Sequence, residues 1–160
     1  MMRKKVLLVM CFILVLNYFS FAQETEKRSF IVGGHVATAF SDYGVLNGVI
    51  IGGAGEYYFL PYLSVVINVD FWIIADFMYS TSLGINVHPL GPGNFDPYLG
   101  GALWMGQIFS QELYVIDVPA VAGINVRVSD TIGIQLQGRL YLLSLPLILI
   151  EADLGIFYQF

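Results

Sequence analysis

Charge is scarce in this sequence. Asp, Glu, Lys and Arg make up 12% of its 160 residues, against about 25% in an ordinary soluble domain. The seven basic residues are Arg3, Lys4, Lys5, Lys27, Arg28, Arg127 and Arg139, and they form no stripe. That argues against nucleic acid as a partner. Cysteine is nearly missing. Cys11 stands alone, which excludes an internal disulfide and any multi-cysteine metal site. The two histidines, His35 and His88, lie far apart in sequence, and two histidines without a third ligand make a weak metal site. A long apolar run is also lacking. A membrane-crossing helix needs about 20 mostly apolar residues in succession. The best window, 60–78, contains Pro61, Asn68, Asp70 and Asp76, and the window 140–150 is shorter and holds Pro146.

What is present is apolar: 57% of the residues are hydrophobic and 15% aromatic. Such a composition rules out disorder and points to a membrane protein of one domain. The chain opens with a basic stretch, Arg3-Lys4-Lys5, followed by an apolar core from Val6 to Leu16. Ser20-Phe21-Ala22 then fits the small-x-small cleavage rule, and Gln23-Glu24-Thr25-Glu26 turns polar. This layout predicts a Sec-type signal peptide over 1–22, cleaved after Ala22, and a short polar segment over 23–28. Cys11 would leave with the signal. Met10 before it is not the small residue that a lipidation site wants, and the apolar core runs on past it.

From residue 29 onward the polar residues recur at every second position, which is the period of a strand. Leu154, Ile156, Tyr158 and Phe160 alternate with Glu151, Asp153, Gly155, Phe157 and Gln159. Ile132, Ile134, Leu136 and Leu140 alternate with Gly133, Gln135, Gln137 and Arg139. The same pattern runs through Val65, Ile67, Val69 and Phe71 against Ser64, Asn68, Asp70 and Trp72. Eight segments result: 29–40, 47–59, 62–74, 78–88, 97–109, 118–128, 131–143 and 148–160. Each is near the length of a tilted membrane strand. Leu60-Pro61, Gly91-Pro92-Gly93-Asn94 and Ser129-Asp130 supply turns between them. The facing of 97–109 stays open.

An open sheet in lipid would leave backbone groups unpaired in hydrocarbon, so the sheet must close. The expected fold is all-β: an eight-stranded antiparallel up-and-down transmembrane β-barrel over 29–160. Its apolar set faces lipid, and its polar and glycine set faces inward. The inward set includes Glu56, Asp70, Arg127, Arg139, Glu151 and Asp153. Buried charge must be paired, so these six are expected to form an interior network in which Arg127 and Arg139 bridge carboxylates. Inward Trp72, Phe157, Tyr58 and Tyr141 point to a plugged lumen.

Three stretches look familiar at this point. Pro97-Tyr98-Leu99-Gly100-Gly101-Ala102 resembles a strand of the small OmpA-like outer-membrane barrels. Gly123-Ile124-Asn125-Val126-Arg127-Val128-Ser129-Asp130, followed by Ile132-Gly133-Ile134, resembles their penultimate hairpin. Leu154-Gly155-Ile156-Phe157-Tyr158-Gln159-Phe160 is similar to their last strand. The resemblance implies residence in an outer membrane. It also implies that Leu154, Ile156, Tyr158 and Phe160 act as a C-terminal signal read by the outer-membrane assembly machinery. A monomer surrounded by outer-membrane lipid is the expectation.

The functional expectation is a non-enzymatic barrel with a structural, envelope-integrity or surface-interaction role. A narrow conduit for small or apolar solutes is the alternative, and a lipid A-modifying enzyme the third. No catalytic, cofactor or metal residues are assigned, because no His, Ser and carboxylate set is seen to converge on a lipid-facing site. Asp42, Asp76, Glu112 and Asp117 are placed in outer loops near 41–46, 75–77 and 110–117. They read as solvated charge or, more sharply, as sites of divalent-cation bridging. The apolar run 144–150 is read as a strand extension interrupted by Pro146. Tyr57, Tyr62, Tyr79, Tyr98, Trp104 and Tyr158 are candidates for interfacial aromatic girdles.

Overall fold

The computed structural model describes residues 30–41, 48–73, 77–91, 93–108, 113–141 and 149–160. The signal peptide, the segment 23–28, and Asp42, Asp76 and Glu112 lie outside them, as does most of the apolar run 144–150. The described elements are all strands: β1 (Phe30–Ser41), β2 (Gly48–Leu60), β3 (Leu63–Ile73), β4 (Met78–Val87), β5 (Phe95–Ile108), β6 (Leu113–Asp117), β7 (Ala120–Arg127), β8 (Ile132–Tyr141) and β9 (Leu149–Gln159).

Every pairing is antiparallel, and the sheet closes on itself. β1 pairs with β2 on one side and β9 on the other, while β4 pairs with β5. β6 and β7 are two halves of one stave. β6 lies along β5 from Trp104 to Ile108, and β7 along β5 from Phe95 to Gly101. Counted as staves, the barrel has eight. The break falls at Val118 and Pro119. Proline cannot donate to the ladder, but the Pro119 carbonyl accepts from the Ala102 N–H at 3.1 Å. The expected loop 110–117 is therefore shorter than the sequence suggested. Its last five residues extend the hairpin, and Asp117 is buried in the wall rather than set in a solvated loop.

The termini share one end of the barrel with the β2–β3, β4–β5 and β7–β8 turns. Gly91, with φ +69°, occupies the left-handed region in the second of these turns. At the same end the Phe160 N–H donates to the Phe30 carbonyl at 2.9 Å.

The wall is inside-out relative to a soluble protein. Phe71, Leu83, Leu103 and Ile156 are 57%, 59%, 60% and 67% exposed. Alternate residues on the same strands, Asp70, Trp72, Ser82, Trp104 and Phe157, are buried. Water would penalise so much open apolar surface, whereas lipid does not. β5 follows the same rule. Asp96, Tyr98, Ala102 and Trp104 point inward, and Phe95, Leu99, Leu103 and Met105 outward. Tyr98 and Trp104, 1% and 4% exposed, thus fill the lumen and belong to no interfacial girdle.

Candidate functional site

The lumen is filled in three tiers. The tier nearest the termini centres on His88, one residue beyond β4 and outside the spanning strands. Its Nδ1 lies 2.9 Å from Asp96 Oδ1, and its Nε2 lies 2.9 Å from Ser64 Oγ and 3.1 Å from Glu56 Oε1. The Tyr58 hydroxyl donates to Asp96 Oδ2 at 2.6 Å, and Asn86 Nδ2 donates to Glu56 Oε1 at 3.2 Å. Burial by itself would lower the pKa of His88. Hydrogen bonds to Asp96 and Glu56 outweigh it, and the imidazole is pushed up to about 9. Five elements are tied together here: β2, β3, β4, the β4–β5 turn and β5.

Asp96, His88 and Ser64 have the connectivity of a nucleophile relay. Two features of the site work against that use. Glu56 shares Nε2 with Ser64, so the ring is held as an imidazolium and has no lone pair with which to take the serine proton. Ser64 and His88 are fully buried, and Asp96 is 2% exposed, so no substrate reaches the hydroxyl.

The middle tier holds the charges. Arg139 and Glu151 are cross-strand partners on β8 and β9. The Arg139 guanidinium reaches Asp70 Oδ2 at 2.8 Å and Glu151 Oε1 at 3.1 Å through Nη1, and Asp153 Oδ2 at 3.6 Å through Nε. His35 joins from β1, with Nε2 2.9 Å from Asp70 Oδ1 and 4.0 Å from Asp153 Oδ1. Gln137 Nε2 donates to Asp153 Oδ2 at 2.9 Å, and Tyr141 donates to Glu151 Oε2. Tyr98 links the two lower tiers: its hydroxyl donates to Gln137 Oε1 and accepts from Gln135 Nε2, both at 2.9 Å.

The third tier is an aromatic stopper. Trp72, Trp104 and Tyr141 pack edge to face, with ring centroids 5.4 to 6.3 Å apart. Ala37, Ala39, Ile50 and Met78 surround them. Trp72 Nε1 donates to Ser80 Oγ at 2.9 Å, which gives the buried indole its partner.

The six residues of the expected network therefore divide. Asp70, Arg139, Glu151 and Asp153 meet in the middle tier, and Glu56 sits in the His88 tier. Arg127 belongs to neither. It is half-buried in the last register pair of β7, opposite Gly133, and pairs with no described carboxylate. Its place close to the rim lets so long a side chain reach water. Asp96 was not foreseen from sequence, and for His35 and His88, although on inward-facing positions, no carboxylate partners were foreseen. The two histidines are far apart along the chain and occupy separate tiers, and each has its own carboxylates. Leu154, Ile156 and Tyr158 project from the outer face of β9, and Phe160, just beyond its end, is exposed as well.

No protein-family model matches this sequence, and no curated protein is significantly similar to it. Solved structures do match. The N-terminal β-barrel domain of Pseudomonas aeruginosa OprF is 16% identical, with a TM-score of 0.71 over 84% of this chain and 98% of that one. P. aeruginosa OprG is 12% identical, with a TM-score of 0.64 over 83% and 96%. A de novo designed transmembrane β-barrel is 18% identical, with a TM-score of 0.62 over 86% and 100%. A designed barrel matching about as well as natural ones shows how little this likeness says of function. The fold itself is plain: this chain is built as a small eight-stranded barrel of the outer-membrane type.

Proposed function

We propose that this protein is a non-conducting, non-enzymatic barrel of an outer membrane, with a structural role in the envelope. The exported chain loses residues 1–22 and inserts as a monomer. The outward face of β9 at Leu154, Ile156, Tyr158 and Phe160 is what the assembly machinery reads.

The filled lumen carries this reading. His88, Asp70, Arg139, Trp72, Trp104 and Tyr141 come from all three tiers, and none is more than 4% exposed. An eight-stranded barrel has room for its own side chains and little else, and here charges and rings occupy that room. A conduit would need a continuous wet path past the guanidinium and through the indole pair. An enzyme would need a reactive group that substrate can reach, whereas Ser64 and His88 are sealed.

Planar-bilayer recording tests the proposal. Protein whose folding is shown by slower gel migration after boiling should leave the bilayer silent across the accessible voltage range. Reproducible current steps of one size would overturn the proposal and establish the conduit.

A further inference from the structure

We propose that His35, Asp70, Glu151 and Asp153 form a divalent-cation site in the barrel interior, of the mixed imidazole–carboxylate kind that takes zinc. A ring nitrogen of His35 and one carboxylate oxygen each of Asp70 and Glu151 lie within 4.8 Å of one another, on residues that are all buried. Asp153 brings a fourth atom. Its Oδ1 is 4.0 Å from His35 Nε2 and, although the residue is 4% exposed, has no hydrogen-bond partner. An orphaned buried carboxylate oxygen is costly, and this one lies beside the His35 imidazole.

Two of the carboxylates, Asp70 and Asp153, divide their oxygens in the way a metal centre requires. Asp70 gives Oδ2 to Arg139, and Asp153 gives Oδ2 to Gln137 and Arg139. Glu151 gives Oε2 to the Tyr141 hydroxyl, and its Oε1 is near Arg139 Nη1. The outer oxygens are thus oriented by a surrounding shell of donors, as ligating carboxylates usually are. The inner atoms, Asp70 Oδ1, Asp153 Oδ1 and His35 Nε2, are left to face one another.

Charge points the same way. Three carboxylates surround one guanidinium, so with all three ionised and the imidazole neutral the buried cluster lacks two positive charges. One divalent cation supplies both. An imidazole with carboxylates suits zinc better than magnesium or calcium, which favour oxygen alone. His35 would ligate through Nε2, with the ring proton moved to Nδ1. The site is sealed by the tiers on either side, so the ion enters while the barrel closes, and its binding energy adds to folding.

The test is refolding the full chain from denaturant into detergent micelles, with zinc alone or with chelator. Zinc content is then measured after removal of loosely held metal. One tightly held zinc per chain, and a higher melting temperature than the chelator-refolded sample, are expected. Refolding with cobalt(II) should give the intense visible bands of a low-coordinate nitrogen–oxygen site. His35→Gln should weaken zinc binding at least tenfold while the β spectrum is kept. Should that variant fail to fold, Asp153→Asn is read in its place. No retained zinc in the folded wild type would overturn the proposal. So would a cobalt spectrum of the hydrated ion, or retention equal to wild type in the substituted barrel.

Discussion

His35 and Asp70 meet across a residue that has no side chain. In register, Gly52 on β2 lies between them, paired with His35 of β1 on one side and Asp70 of β3 on the other. The two side chains lean over the bare backbone until Nε2 and Oδ1 are 2.9 Å apart. A Cβ on Gly52 would stand 2.1 Å from Asp70 Oδ1 and 2.5 Å from His35 Nε2. The glycine is what allows the contact.

Gly52→Ala should therefore destabilise the barrel by about 1–3 kcal/mol, the usual cost of overpacking a filled interior. Both groups would have to swing aside, and their close contact would be lost. Gly34→Ala is the control. It sits on β1 one residue from His35 but on the lipid face, with the nearest atom to its new Cβ at 3.7 Å. Urea unfolding midpoints in detergent should fall clearly for the first and barely move for the second. Equal effects would place the cost in backbone conformation instead.

Arg139 has unequal partners, and the inequality is measurable. Asp70 accepts from Nη1 at 2.8 Å, while Asp153 faces Nε at 3.6 Å and has Gln137 as a second partner. Arg139→Leu strands three carboxylates, and removing one partner of a buried pair costs about 3–5 kcal/mol. Adding Asp70→Leu should recover more of that loss than adding Asp153→Leu. Double-mutant cycles read the difference. Coupling that is larger for Asp153 would mean that Arg139 swings toward β9 in the membrane.

The tiers also predict what opening one of them fails to do. Trp104→Ala deletes the largest ring contributed by β5 to the stopper, and such truncations cost about 3–5 kcal/mol. The lumen should stay silent in bilayers all the same, because Arg139 and its carboxylates still fill the section below. Conduction appearing in this variant would make the aromatic tier the sole barrier.

Most of the barrel was legible in sequence because lipid enforces a strict alternation on the outer face. Seven of the strands could be faced that way; β5 could not. Its two faces, Tyr98, Ala102 and Trp104 against Leu99, Leu103 and Met105, are both apolar. Hydropathy cannot distinguish aromatics that plug a lumen from aliphatics that meet lipid. The break at Pro119 hid β6 for a related reason. A proline two residues after an aspartate reads as a loop, yet the register resumes beyond it. The pair Arg139 and Glu151 was within reach of hairpin counting. The meeting of His35 with Asp153 was not, since it needs the register of the closing pair, β1 with β9. Asp96 was missed by one position, because the expected strand began at Pro97.

His88 sets a pH dependence whose sign follows from its two carboxylate partners. Its pKa is raised to about 9 in the folded protein, against about 6.5 for an unfolded histidine. A raised histidine stabilises the fold in the protonated state. The contribution, about 3 kcal/mol at most, is present in full below pH ~6.5. It declines as the pH rises toward 9 and is lost above that value. Replacing the ring isolates this effect from other titrating groups. The gap in urea midpoint between wild type and His88→Gln should be widest at mildly acidic pH and close progressively on the alkaline side. A gap that widens with rising pH would mean that His88 is held neutral. Its Nε2 would then be free to accept the Ser64 proton, and the relay of Ser64, His88 and Asp96 would regain the chemistry that Glu56 denies it.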